Sequence, residues 1–317
     1  MLARAADNFF WMARYVERAE NVARLLASCH QIGMLPGGEA SGQSGQLSEW
    51  ETPLFMTGTA DDFMRRYESV TPGRVLAYMI LERDNLSSIR SSLLQARENA
   101  RATRHLLSSD LWETLNQTWL AIAELDYDQL RRDGIQERLE WVRDRSHMFR
   151  GALYGSMRRA EGFSFASLGT AVERADSTAR LLRVKWDTLV QRDLPHGVKA
   201  RPDYYRTAVL LNALSAYKSY RETYASNLDF AKLAELIILR EDMPRALMAS
   251  LTEIEDLLRR LDPAAQPLGA VRALRQRLRS IQVADLMRIG IKRFLDEFTV
   301  EVGRIASQIQ NTFLVVS

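Results

Sequence analysis

Cysteine is nearly absent. Cys29 stands alone among 317 residues, so no disulfide can form within the chain, which points to a reducing, cytoplasmic setting. Proline and glycine are also scarce, at 8 and 16, and they fall between stretches of helical periodicity. That excludes a turn-rich β architecture and predicts an all-α protein. Apolar runs such as "AVLL" and "FLVV" fall well short of the ~20 residues needed to span a bilayer. Charged residues interrupt the N-terminal stretch from Arg4 onward, so neither a membrane span nor a signal-peptide core is expected. Lysine is confined to Lys185, Lys199, Lys218, Lys232 and Lys292, leaving arginine to carry the positive charge. The planar guanidinium suits carboxylates and phosphates, although a GC-rich genome produces the same bias. A net charge of only +3 gives no support to a nucleic-acid partner.

What is present is helix. With 46% hydrophobic residues the chain can bury a large core. Along the first helix, expected over 4–31, Phe9, Met12, Val16, Ala19, Ala23 and Leu26 repeat at steps of three and four residues. Residues 33–54 then form a loop longer than a compact domain normally carries, the pattern of a lid or binding loop, with Trp50 as its candidate partner contact. Helices are expected over 61–68, from Thr71 as cap with Pro72 behind it, and over 86–107. Further helices follow over 110–125 (capped by Asp110, with Glu113 completing a capping box), 135–158, 164–191, 203–225, 229–240, 244–261, 267–282 and 285–313. The linker at 192–202 offers a sub-boundary. A single multi-helix bundle over 1–317 is favoured, because the chain contains a repeat that would pack as a pseudo-symmetric pair around one core.

That repeat is "YVERAENVARLL" at 15–26 and "AVERADSTARLL" at 171–182, offset by 156 residues. Glu17, Glu20 and Arg24 share one helical stripe beside the apolar face, and Glu173, Asp176 and Arg180 share its counterpart. The acid-to-arginine step of four residues suits an intrahelical ion pair, contributing about 0.2–0.5 kcal/mol if exposed. Stability at that scale does not explain the pattern. The stripe is either solvated, or paired with its twin across the bundle, or part of a polar site that binds a charged ligand between the helices. A carboxylate left there without a partner would have a raised pKa. A third segment, "ARENARATRHLL" at 96–107, sets Arg97, Arg101 and Arg104 in a basic stripe beside Glu98 and Asn99; Arg272, Arg275 and Arg279 form another, expected to face solvent or an acidic partner.

Catalytic signatures are missing. "GGEASGQSG" has neither the lysine ending nor the preceding strand of a phosphate loop, so no ATP site and no cofactor is expected. His30, His105, His147 and His196 are scattered without metal-ligand spacing. Cys29 beside His30 points away from it on a helix and is best explained as a small buried hydrophobe. Trp11, Trp112, Trp119, Trp141 and Trp186 are expected in the core.

The blocks "MLARAADNFFWMARYVERAENVARLL", "NLSSIRSSLLQARENARATRHLLSSDLWETLN", "LGTAVERADSTARLL" and "YRETYASNLDFAKLAELIILREDMPRALMASL", in that order, resemble the alpha-E family (domain of unknown function 403). This is a bacterial helical domain named for its glutamate–arginine motif. The chain departs from the family at Ala246, where similar proteins tend to carry serine after Pro244-Arg245. The resemblance implies association with circularly permuted ATP-grasp amide ligases, with transglutaminase-like proteases and sometimes a proteasome-related peptidase encoded nearby, in a peptide-synthesis or peptide-tagging system. By that reading the protein binds no ATP and positions an acceptor peptide or amino acid. The motif residues carried over are Glu17, Arg18, Glu173 and Arg174, with Arg97, Glu98, Asn99 and Arg101 as secondary candidates. Adding the stripe residues Glu20, Arg24, Asp176 and Arg180 completes the expected binding set. The alternative is a stand-alone amide-forming or amide-cleaving enzyme with Glu17 and Glu173 as acid and base, which requires both carboxylates to face one cavity.

Overall fold

Two long helices, each carrying one copy of the repeat, lie side by side at the centre of the computed structural model, which describes residues 1–34, 49–189, 203–225 and 227–315. They are α1 (Ala3–Gly33) and α9 (Glu161–Lys185). Between them run α2 (Thr52–Thr57), α3 (Ala60–Arg66), α4 (Pro72–Leu76), α5 (Ile89–Ala102), α6 (Ser109–Ala123), α7 (Tyr127–Asp133) and α8 (Ile135–Ser156). After α9 come α10 (Tyr204–Ala213), α11 (Tyr217–Tyr224), α12 (Phe230–Ala234), α13 (Leu247–Leu261), α14 (Gln266–Ser280), α15 (Val283–Ile289) and α16 (Ile291–Ile309). No strand occurs among the described residues.

The apolar face expected on α1 is only part of what it buries. Phe10, Ala13, Val22 and Leu25 are as deeply buried as Phe9 and Met12, because α5, α8, α9 and α10 all pack against this helix. α9 is enclosed in the same way, by α1, α13 and α16. Close approach of the central pair depends on Gly169: a Cβ there would come within 2.1 Å of the Phe10 carbonyl oxygen. A single connected apolar core runs from Ala6 to Leu314. Trp50, expected to await a partner, is instead part of that core. Its neighbour Glu49, almost completely buried, is ion-paired to Lys185 and Arg206. Most of the long loop (35–48) and the linker at 192–202 lie outside the described residues.

Several expected helices divide at identifiable points. The last one breaks at Gly290 (φ 95°), as the chain also does at Gly134 (φ 89°); both glycines adopt the positive φ that side chains resist. They sit at the same step, between a seven-residue helix and the long helix that follows. The expected 203–225 helix is interrupted between α10 and α11, where Ser215 has φ 55°. The 86–107 helix begins only at Ile89, and its predecessor α4 instead continues into a π-helical turn over Ala77–Leu81. α12 likewise continues into a π turn over Glu235–Leu239. Thr71 caps α4 as expected, but α6 is capped by Ser108, not Asp110.

Ser88, the N-cap of α5, accepts a hydrogen bond from the Ser91 amide, whereas Ala246, the N-cap of α13, has no side chain able to do so. α13 therefore begins without the side-chain cap that α5 has. Supplying one with Ala246→Ser should raise stability by about 1 kcal/mol in urea unfolding. Gly169→Ala should lower it by about 1–3 kcal/mol, since neither helix backbone can retreat without unpacking the core.

Candidate functional site

Side-by-side packing turns the two acidic stripes toward each other. Glu17 accepts from Arg174 (Nη2–Oε2 3.1 Å), and Glu173 accepts from Arg18 through Nε and Nη2 at 2.7 and 3.1 Å. Each motif glutamate thus takes the other motif's arginine. At the next matched positions Asn21 donates to the Ser177 hydroxyl at 2.7 Å. The intrahelical pairs form as well, Glu20 with Arg24 at 2.7 Å and Asp176 with Arg180 at 2.8 Å.

Three further arginines complete the network, none of them in the expected set. Arg14, one turn before the first motif, bonds Glu173 at 2.9 Å. Arg150, from α8, lies 3.0 Å from Glu17 and 2.5 Å from Glu20. Arg245, from the turn before α13, donates to Asn21 at 2.8 Å and to Glu20 at 2.6 Å, and pairs with Glu17 at 3.0 Å. A signal for Arg245 was present in the Pro244-Arg245 block; Arg150 sits on a helix whose sequence has no motif, and only packing brings it in. His147 joins at the rim, its Nε2 3.3 Å from Arg24 Nη2, with its pKa lowered mainly by burial.

Glu17, Glu20 and Glu173 are almost wholly buried. Burial alone would raise their carboxyl pKa values, but the guanidiniums more than reverse it. Arg174, Arg245 and Arg150 do so at Glu17, and Arg14 and Arg18 at Glu173. Arg245, Arg150 and Arg24 overcome both burial and the Glu17 charge at Glu20. Each of the three carboxylates has guanidinium partners and is held ionised, so none has the raised pKa that an unpartnered carboxylate would show.

The secondary candidates lie elsewhere. Glu98 is shared by Arg97 and Arg101 at 2.6 Å each. Arg97 also reaches Asn116, and the guanidiniums of Arg97 and Arg104 lie over Trp112. Asn99 donates to the Gln95 carbonyl of its own helix. This cluster fastens α5 to α6. On the C-terminal stripe, Arg272 and Arg275 pair with Glu255, and Arg275 and Arg279 with Glu241, so the acidic partner is internal. Cys29 is buried, with its thiol pushed up to about 12 by desolvation, and donates to the Glu49 carbonyl.

One face of the crossed pairs opens on a cavity of about 300 Å³. Arg14, Arg18 and Arg180 line it together with Glu173, Asp176, Asn21, Ser177 and Ser87; Glu17 is not among its walls. Arg14 and Arg18 spend Nε and Nη2 on Glu173, so Nη1 of each takes no part in those bonds.

Crossed glutamate–arginine pairs between two central helices of an all-helical bundle define the class to which this site belongs. The chain belongs to the Alpha-E family, a predicted alpha-helical domain with a conserved ER motif, which it matches over residues 1–314. No curated protein and no solved structure matches it.

Removing one carboxylate from a buried network leaves guanidinium charge uncompensated, so Glu17→Gln should cost about 3–5 kcal/mol at neutral pH. The folded-state pKa values of Glu17, Glu20 and Glu173 lie below their unfolded values. Their contribution is complete above the unfolded value of roughly 4.3 and is lost as pH falls toward the folded values. Urea midpoints should therefore drop steeply as pH is lowered through the carboxylate range, and the drop should be shallower in Glu17→Gln.

Proposed function

We propose that this protein is a helical partner of a circularly permuted ATP-grasp amide ligase, binding no nucleotide of its own and holding the carboxylate-bearing acceptor, a peptide or amino acid, for the ligase. The observation that carries this reading is the cavity beside the crossed pairs, where Arg14, Arg18 and Arg180 line one opening. Guanidiniums already oriented by Glu173 and Asp176 present their remaining N–H groups at little entropic cost, a preorganised seat for a carboxylate. Membership of the Alpha-E family supports the choice of partner, through the association that resemblance implies with amide ligases, and with transglutaminase-like proteases or a proteasome-related peptidase of the same system.

Positioning is favoured over acid–base catalysis by the motif glutamates. A general base works best with a pKa near the operating pH, whereas Glu17 and Glu173 are held ionised by two or more guanidiniums each. Glu173 lines the cavity and Glu17 does not, so the two are not arranged across one reacting group there.

The test is reconstitution with a circularly permuted ATP-grasp ligase from the same genome. The two proteins should associate at micromolar concentration and raise ligase turnover over the ligase alone. Arg180, with 44% of its side chain exposed, can be changed without opening the core; Arg180→Glu should preserve association and reduce the stimulated turnover about tenfold or more. Absence of both association and stimulation would end this reading.

A further inference from the structure

The cavity has a filled counterpart in the same molecule. Two segments share a local course: a π turn, a bend of seven residues, then a helix packed on a motif helix. The first runs from Ala77–Leu81 through 82–88 into α5, which packs on α1. The second runs from Glu235–Leu239 through 240–246 into α13, which packs on α9. Position by position, Ser87 of the first bend stands where Arg245 stands in the second.

Their surroundings correspond in a crossed sense. Arg245 extends from its bend to the stripe of α1, pairing with Glu17 and Glu20 and bonding Asn21. Ser87 shares its cavity with the matched stripe of α9, namely Glu173, Asp176 and Ser177. Where the second bend supplies a guanidinium, the first supplies a side chain too short to reach, and open volume remains. The charge count differs by the same group. Glu17 and Glu20 are served by Arg24, Arg150, Arg174 and Arg245. Glu173 and Asp176 are served only by Arg14, Arg18 and Arg180 among the described residues. Asp176 commits Oδ2 to Arg180, and Oδ1 takes no part in that bond.

We propose that this cavity takes a guanidinium group from the ligand, seated against Asp176 and Glu173 in the place that Arg245 fills in the other half. The acceptor is then an arginine-type amino acid or a peptide bearing arginine, its carboxylate on the free N–H groups of Arg14, Arg18 or Arg180. This deepens the acceptor reading and rests on it. A planar, forked cation matches the carboxylate geometry better than an ammonium group. The filled half shows that this fold accommodates four guanidiniums around two carboxylates.

Calorimetric titration of the full chain with L-arginine, agmatine and L-citrulline separates the groups involved, since agmatine lacks the carboxylate and citrulline lacks the charge. Arginine should bind most tightly, agmatine should bind detectably, and citrulline should bind at least about tenfold more weakly than arginine. Ser87→Arg, which supplies from within the side chain found in the other half, should abolish arginine and agmatine binding without lowering the melting temperature. Asp176→Asn, a milder change, should weaken arginine about tenfold and leave citrulline unaffected. Equal binding of arginine and citrulline would overturn the guanidinium assignment while leaving a carboxylate acceptor in place. No binding of any of the three would overturn it too, and the acceptor reading would then be decided by ligase stimulation.

Discussion

The structure turns on the reciprocal pairing of Glu17 with Arg174 and of Glu173 with Arg18. Each carboxylate is taken out of water between two helices, and each is compensated by a guanidinium on the other helix. A buried charge without its partner costs several kcal/mol, so neither helix can slide or rotate against the other without exposing that penalty. The pairing therefore acts as a register lock. Asn21 and Ser177 lie one turn beyond both pairs and extend the same constraint along the helices. Gly169 sets the distance, because the backbone of α1 occupies the space a side chain would need.

Around that lock the rest of the bundle is arranged to supply charge. α8 delivers Arg150, the bend before α13 delivers Arg245, and α1 itself delivers Arg14 from one turn upstream. The result is uneven. One carboxylate pair is enclosed by guanidiniums from four elements, while the other opens on a cavity bounded by Ser87 and Arg180. Functional sites commonly sit where a fold departs from local self-consistency, and this departure is the clearest one the buried network shows.

Much of the architecture was legible before the structure. All-α content, the positions of most of the long helices to within a few residues and the involvement of both glutamate–arginine copies followed from periodicity and from the match between 15–26 and 171–182. Expectations failed where neighbours outweighed local pattern. Trp50 looked like a loop residue awaiting a partner, but the chain folds back there and buries it. The basic stripe at Arg97–Arg104 looked available to a ligand, and Arg272–Arg279 was expected to face solvent or an acidic partner; their acids arrive from the same helix in the first case and from α13 and the bend before it in the second. Breaks at Gly290 and Ser215 were missed because the apolar periodicity runs through them.

By itself the sequence determined that two helices would carry matched rows of acid and arginine next to an apolar face, since spacing along a helix converts directly into direction around its axis. It also determined that Glu20 could reach Arg24 and Asp176 could reach Arg180, which are contacts within one turn. Which carboxylate met which arginine from another helix was decided only by tertiary structure. Arg14 lies 159 residues from Glu173, and Arg150 and Arg245 lie 133 and 228 residues from Glu17; no local rule links such distances. Packing of α1 against α9 chose the crossed partners, and the same packing left the space beside Ser87 unfilled.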